Sequence, residues 1–200
     1  AVLGGALYVL GGQDNDSQFL SSVERYDAER LRWKLVAPMR QARDGLAVAV
    51  LDGRLYALGG ASSYGASARS KTVERYDAER NVWEAVADMS TERWGCVAAV
   101  LEGKLFVMGG EDAQGQRLSS VEYYEPASNE WKQVAPMNKA RSFHSAAVWN
   151  GRLYVMGGSR ADSSVEWYDL ERNEWHEVDG EEGGLRTGRN GLVSAAVVLS

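Results

Sequence analysis

Four copies of one unit fill most of this 200-residue chain, and that repetition constrains its fold more than any other feature. A double glycine closes an apolar stretch at Gly11-Gly12, Gly59-Gly60, Gly109-Gly110 and Gly157-Gly158, at intervals of 48, 50 and 48 residues. Each pair is followed by a related segment: VERYD at 23–27, VERYD at 73–77, VEYYE at 121–125 and VEWYD at 165–169. Seven residues beyond each second aromatic position comes a tryptophan: Trp33, Trp83, Trp131 and Trp175. A period of this length belongs to arrays of small supersecondary units, each of which buries its apolar faces only against its neighbours.

The second unit shows what the repeat is made of. An apolar run, GLAVAVL at 45–51, meets the turn signal Asp52-Gly53 and continues as RLYAL at 54–58 up to the double glycine. A polar loop at 61–71 leads to 72–77, and a charged turn leads to 82–86. Four short runs between turn signals predict an antiparallel four-stranded meander, and the runs are too short and too often broken by glycine for helices. The first run of each unit is rich in small residues (Ala47 and Ala49, Ala98 and Ala99, Ala146 and Ala147), while the fourth carries the tryptophan. Small side chains suit a crowded axis and tryptophan suits the wider periphery, so the expected architecture is all-β, a propeller of about four blades of four antiparallel strands. The units are expected near 1–40, 41–90, 91–138 and 139–186 of a single 1–200 domain, with an inner strand at 187–200. That strand would either close a small ring or continue into a larger one.

Composition narrows the function classes. The formal net charge is -6 and the pI about 5.1. No basic footprint argues for nucleic acid. No apolar run is long enough to span a bilayer, and no basic leader opens the chain. Cys96 stands alone, so no disulfide forms within the chain and a reducing, cytoplasmic setting is expected. The histidines, His144 and His176, fall in different strand types, so they do not assemble a zinc site, and no cofactor is expected. The double glycines end strands without a helix behind them, which makes phosphate cradling an unsuitable role.

The spacing of double glycine, tyrosine and tryptophan resembles the Kelch repeat. The segments VAPM at 36–39, VADM at 86–89 and VAPM at 134–137, each followed four residues after the methionine by an arginine, are similar to the Kelch domains of BTB–Kelch substrate adaptors of cullin-based ubiquitin ligases. The resemblance implies a non-enzymatic interaction module that binds an extended, acidic peptide on the face formed by the loops after the double glycines and before the inner strands. Carried over position by position, it implies ligand contacts from Arg43, Arg93, Arg141, Arg189 and Ser142, with Asn190 as a polar substitute at the serine position. Asp44 and Trp94 depart from the pattern there.

Physical chemistry leaves two readings of those arginines open. Forked guanidinium donors fit a ligand carboxylate, with at least two of the four facing a partner. Equally, a recurring arginine packs against its neighbouring blade or bonds loop carbonyls. Trp94 and Phe143 lie beside arginines in these loops and are candidate interface anchors, or they pack at the channel mouth. Tyr64 occupies the longest loop. The repeated tyrosines and tryptophans read as core. The rival to an interaction module is an enzyme on the same scaffold acting on a sugar or sialic-acid-type substrate, which needs a histidine or a carboxylate pair in the central channel.

Overall fold

The fold is drawn from a computed structural model that describes residues 1–158 and 162–178. Among these residues sixteen strands form four separate antiparallel sheets, each in chain order. Blade I holds β1 (Val2–Leu3), β2 (Ala6–Leu10), β3 (Val23–Asp27) and β4 (Arg32–Val36). Blade II holds β5 (Ala47–Leu51), β6 (Arg54–Leu58), β7 (Val73–Asp77) and β8 (Val82–Val86). Blade III holds β9 (Val97–Leu101), β10 (Lys104–Met108), β11 (Val121–Glu125) and β12 (Glu130–Val134). Blade IV holds β13 (Ser145–Trp149), β14 (Arg152–Met156), β15 (Val165–Asp169) and β16 (Glu174–Glu177). The only helical element is one 3-10 turn at Ala66–Ala68, within the described residues. The all-β propeller expectation holds. The expected inner strand at 187–200 lies outside the described residues.

Inside each blade the meander is set by local chemistry. Asp52 and Gly53 both take positive φ, +50° and +69°, which is the two-residue hairpin geometry whose twist matches the flanking strands. Leu51 then pairs with Arg54 and Ala47 with Leu58 across a register without a bulge. The double glycine follows β6 because nothing larger fits. Gly59 has φ +63°, and a Cβ there would lie 2.4 Å from the backbone oxygen of Arg93. The chain of the next blade therefore passes directly over the glycine.

Among the described residues the core consists of three seams between blades. Strand side chains alternate sides, so a blade with neighbours on both sides buries both. In β6, Leu55 and Ala57 pack toward blade I with Tyr8, Leu10 and Met39. Tyr56 and Leu58 pack toward blade III with Leu105, Val107 and Tyr124. A similar cluster joins β9 and β10 to Ala146, Leu153, Val155 and Trp175 of blade IV. Each fully buried Leu or Val contributes on the order of 1.5–3 kcal/mol relative to exposure.

A polar clamp recurs on the outer side of every seam. Tyr76 donates its hydroxyl to Asn81 Oδ1 at 2.7 Å, and that oxygen also accepts the amide of Ala37 in the preceding blade at 2.9 Å. Trp83 Nε1 donates to the Ala37 carbonyl at 2.9 Å. Blades III and IV repeat this with Tyr124, Asn129, Trp131 and Ala87, and with Tyr168, Asn173, Trp175 and Ala135. In blades II to IV the repeated tyrosines and tryptophans do sit in the packed seams, with the tryptophan also locking blade to blade; in blade I the core expectation fails for Trp33, which is 45% exposed.

Candidate functional site

Two sets of loops share one face of the array, those after each double glycine and those before each inner strand. Arg43, Arg93 and Arg141 lie in the second set, and they point inward. Each is 1–2% exposed. Arg93 Nε and Nη2 donate to Glu122 Oε1 at 3.2 and 3.0 Å, Nη1 donates to the carbonyls of Gly109 and Ser120, and Nη2 also reaches Ser120 Oγ. Arg43 does the same with Glu74, Gly59 and Thr72, and Arg141 with Glu166, Gly157 and Ser164. The second carboxylate oxygen of each glutamate accepts a backbone amide, from Arg40, Ser90 and Asn138 respectively. Burial lowers the pKa of the Arg43 guanidinium, and the hydrogen bond to Glu74 opposes that shift. It stays charged and paired.

This corrects the expectation that these three arginines face a ligand. Their donors are used up within the protein because a carboxylate from the same blade reaches them first. The backbone of each arginine completes the device. The carbonyl of Arg43 accepts from Gly12 N–H of the preceding blade at 2.8 Å, and Arg93 and Arg141 do likewise with Gly60 and Gly110. One residue thus holds the preceding blade through its backbone and its own blade through its side chain.

Ser142 is also corrected. It is fully buried, and its hydroxyl donates to Glu111 Oε1 at 3.1 Å. Arg189 and Asn190 fall outside the described residues. Trp94 and Phe143 remain on the loop face and meet edge to face, with ring centroids 4.6 Å apart. Each ring sits on a glycine of the preceding blade. A Cβ at Gly45 would come within 2.3 Å of Trp94 Nε1, and one at Gly95 within 2.9 Å of the Phe143 ring. Both glycines have positive φ, +61° and +66°, and Phe143 keeps that conformation (φ +53°) at the position equivalent to them. A bulky residue held there is strained. The backbones run as a chain of bonds, Gly95 N–H to Gly45 O and Phe143 N–H to Gly95 O, each 2.8 Å.

Three blades contribute to a cleft on this face of about 220 Å³. Gln13 and Phe19 come from blade I, Asp44, Tyr64 and Arg69 from blade II, and Trp94 from blade III. Phe19 and Tyr64 meet edge to face at 5.0 Å, and Tyr64 donates to Gln13 Oε1 at 3.3 Å. Arg69 lies over the Trp94 ring at 5.1 Å, donates to Glu111 Oε2 at 2.8 Å and also reaches the Asp112 carbonyl. Sequence reading singled out Trp94, Phe143 and Tyr64. It missed Phe19, Asp44 as a wall residue, and Arg69, at positions where the residue is not the same in every unit. A larger hollow of about 510 Å³ lies at the opposite, turn-bearing face of blade I, between 4–7 and 25–30. It is built by a single blade and gathers no groups from its neighbours.

The histidines serve elsewhere. His144 is wholly buried beside the Gly109 backbone, and burial lowers its pKa to about 3. His176 stacks on Trp167 at 4.4 Å. Burial raises the Cys96 thiol to about 11. Among the described residues no helix is long and apolar enough to cross a membrane.

A family model described as FKB95, Kelch-repeats domain, matches residues 1–198. The chain belongs to the Kelch-repeat family. Its Kelch units are 38% identical over 64 residues to F-box/kelch-repeat protein At1g67480 of Arabidopsis thaliana, covering 32% of this chain and 17% of that protein. They are 44% identical over 62 residues to Kelch-like protein 33 of Homo sapiens, covering 30% and 12%. They are 36% identical over 55 residues to Kelch repeat and BTB domain-containing protein 1 of cowpox virus (strain Brighton Red), covering 27% and 10%. The matched segments thus span less than a fifth of each of these Kelch relatives. The solved structure of YjhT superposes with a TM-score of 0.75 at 16% identity, covering 92% of this chain and 66% of that one. That likeness concerns the fold.

Proposed function

We propose that this chain is a non-enzymatic protein-interaction module that holds an extended peptide of a partner protein across its loop face, over the cleft of Phe19, Tyr64, Arg69 and Trp94. The observation that carries the reading is the convergence of loops from three blades on one cavity with aromatic walls, one of them (Tyr64) 71% exposed. Aromatic side chains at the centre of a rigid, concave patch are the usual energetic anchors of protein interfaces.

Within a longer protein this binding would recruit substrates for a ubiquitin ligase. Supporting that role are the likeness to BTB–Kelch adaptors and the F-box and BTB words in the names of two relatives. The lone, buried Cys96 fits a cytoplasmic setting. The acidic preference inferred from the arginines loses its donors, because each one described is matched by a glutamate. An enzyme acting on a sugar gains no support from the histidine nearest the axis, since His144 is enclosed and held neutral.

The test is selection of peptides from a random library on the intact chain, followed by affinity measurement on Tyr64→Ala and Phe19→Ala. Binding should fall about tenfold or more in each, as for an interface hot spot, with the circular-dichroism spectrum unchanged. Selected peptides that bind both variants as well as wild type would remove the reading.

A further inference from the structure

We infer that the loop-face cleft takes a cationic side chain, a lysine or an arginine, from the bound peptide. This rests on the reading of that face as a peptide site and specifies its ligand. Five observations carry it.

The walls are aromatic. Phe19, Tyr64 and Trp94 present rings from three blades, and ring faces carry the negative part of the quadrupole that attracts a cation. The one carboxylate lining the cleft, Asp44, has no ion pair and no side-chain hydrogen bond among the described residues. Its backbone is fixed by a two-way bridge to Ala61, with bonds of 2.8 and 2.9 Å, so the residue is held at the wall. The one cation lining the cleft, Arg69, is already neutralised by Glu111 at 2.8 Å and committed to the Asp112 carbonyl. An incoming carboxylate would therefore find an unpaired like charge and no free partner. An incoming ammonium or guanidinium group would find an unpaired opposite charge and ring faces.

Size agrees with a single side chain. About 220 Å³ is below the roughly 300 Å³ at which pockets begin to hold drug-sized ligands. The rim continues the sign of the wall, since Asp14 and Asp16 are exposed in the loop that carries Gln13. Arg69 covers Trp94 from one side, which leaves the Phe19 and Tyr64 rings and Asp44 as the receiving surface.

The experiment titrates the intact, 15N-labelled chain with four capped peptides of sequence Gly-Ser-Gly-X-Gly-Ser, where X is Lys, Arg, Leu or Glu. It follows the Trp94 indole N–H and the Gly65 amide. The Lys and Arg peptides should bind at least about fivefold tighter than the Leu and Glu peptides, the size expected of one part-exposed charge pair. Asp44→Asn should abolish that preference while leaving the rest of the spectrum in place. Raising the salt should weaken the Lys and Arg peptides alone. A Leu or Glu peptide that binds best would overturn the inference while leaving the loop face as a peptide site. So would a Lys preference that survives Asp44→Asn. If none of the four moves either signal at millimolar concentration, the cation site is wrong, and the library selection on Tyr64→Ala decides the broader reading separately.

Discussion

Blade I and blade III are built from the same repeat, and among the described residues only blade III has a neighbouring blade on both sides. In blade III, Leu105 and Val107 of the second strand are fully buried, as are their counterparts in blades II and IV. In blade I the same positions, Leu7 and Val9, are 49% and 53% exposed. Trp33 is likewise exposed, while Trp83 and Trp175 are buried. The polar locks differ as well. Glu122 is fully buried under Arg93, while its counterpart Glu24 has no ion pair among the described residues. Asn129 joins Tyr124 to Ala87 across the seam, and the equivalent residue in blade I is Leu31, 77% exposed. A blade's sequence is therefore only half of its stability. The other half comes from a neighbour that covers its leading side and receives its asparagine and tryptophan.

Five substitutions break or sharpen that contrast. The largest effect belongs to Arg93→Ala, which strands the buried Glu122 carboxylate and should cost roughly 3–5 kcal/mol in urea unfolding. Glu24→Ala in blade I should move stability by no more than about 0.5 kcal/mol. Equal losses from the two would refute the distinction.

Next comes His144, which stands where blades II and III carry Leu46 and Cys96. Its folded pKa is held down near 3, while the unfolded imidazole protonates near 6.5. Between those values the unfolded chain binds the extra proton. This contribution to stability is therefore complete above pH 6.5 and is lost as the pH falls, at up to about 1.4 kcal/mol per unit. His144→Leu should flatten the pH profile below 6.5 relative to wild type, and parallel profiles would show that the ring is solvated.

Asn129→Leu makes blade III imitate blade I. It removes two hydrogen bonds and places a branched side chain at φ +54°, for a loss of about 2 kcal/mol. The smallest change is the reverse, Leu31→Asn, which relieves a left-handed leucine (φ +51°) and gives the Tyr26 hydroxyl a partner. It should raise the unfolding midpoint by the equivalent of about 0.5–1 kcal/mol. No gain would mean that the asparagine works only when a preceding blade is present.

The strands were legible because their signals are local. Asp52-Gly53, the alternation of small and large residues and the double glycines set the boundaries of blade II to within two residues. The fate of the arginines was not legible from the arginines, since a guanidinium suits a carboxylate wherever it comes from. The deciding signal lay in the glutamate of each VE-x-Y segment, at 24, 74, 122 and 166, which recurs with the same period as the arginines. Two opposite charges sharing one period, at positions the meander brings together, point to an internal pair. The cleft was hidden for the opposite reason. Phe19, Asp44 and Arg69 stand at positions where the residue is not the same in every unit, so repetition offers no guide to their role, and only the folded loops bring them to one wall.

The doubly committed arginine also bears on how such a chain grows. A segment copied from one double glycine to the next carries its own grip on whatever comes before it and its own seat for whatever follows. Duplicating it in a gene would insert another blade without inventing a new complementary surface. Individuality is then left to the loop positions outside that grip, such as those of Phe19, Tyr64 and Arg69, where the residue is not the same in every unit.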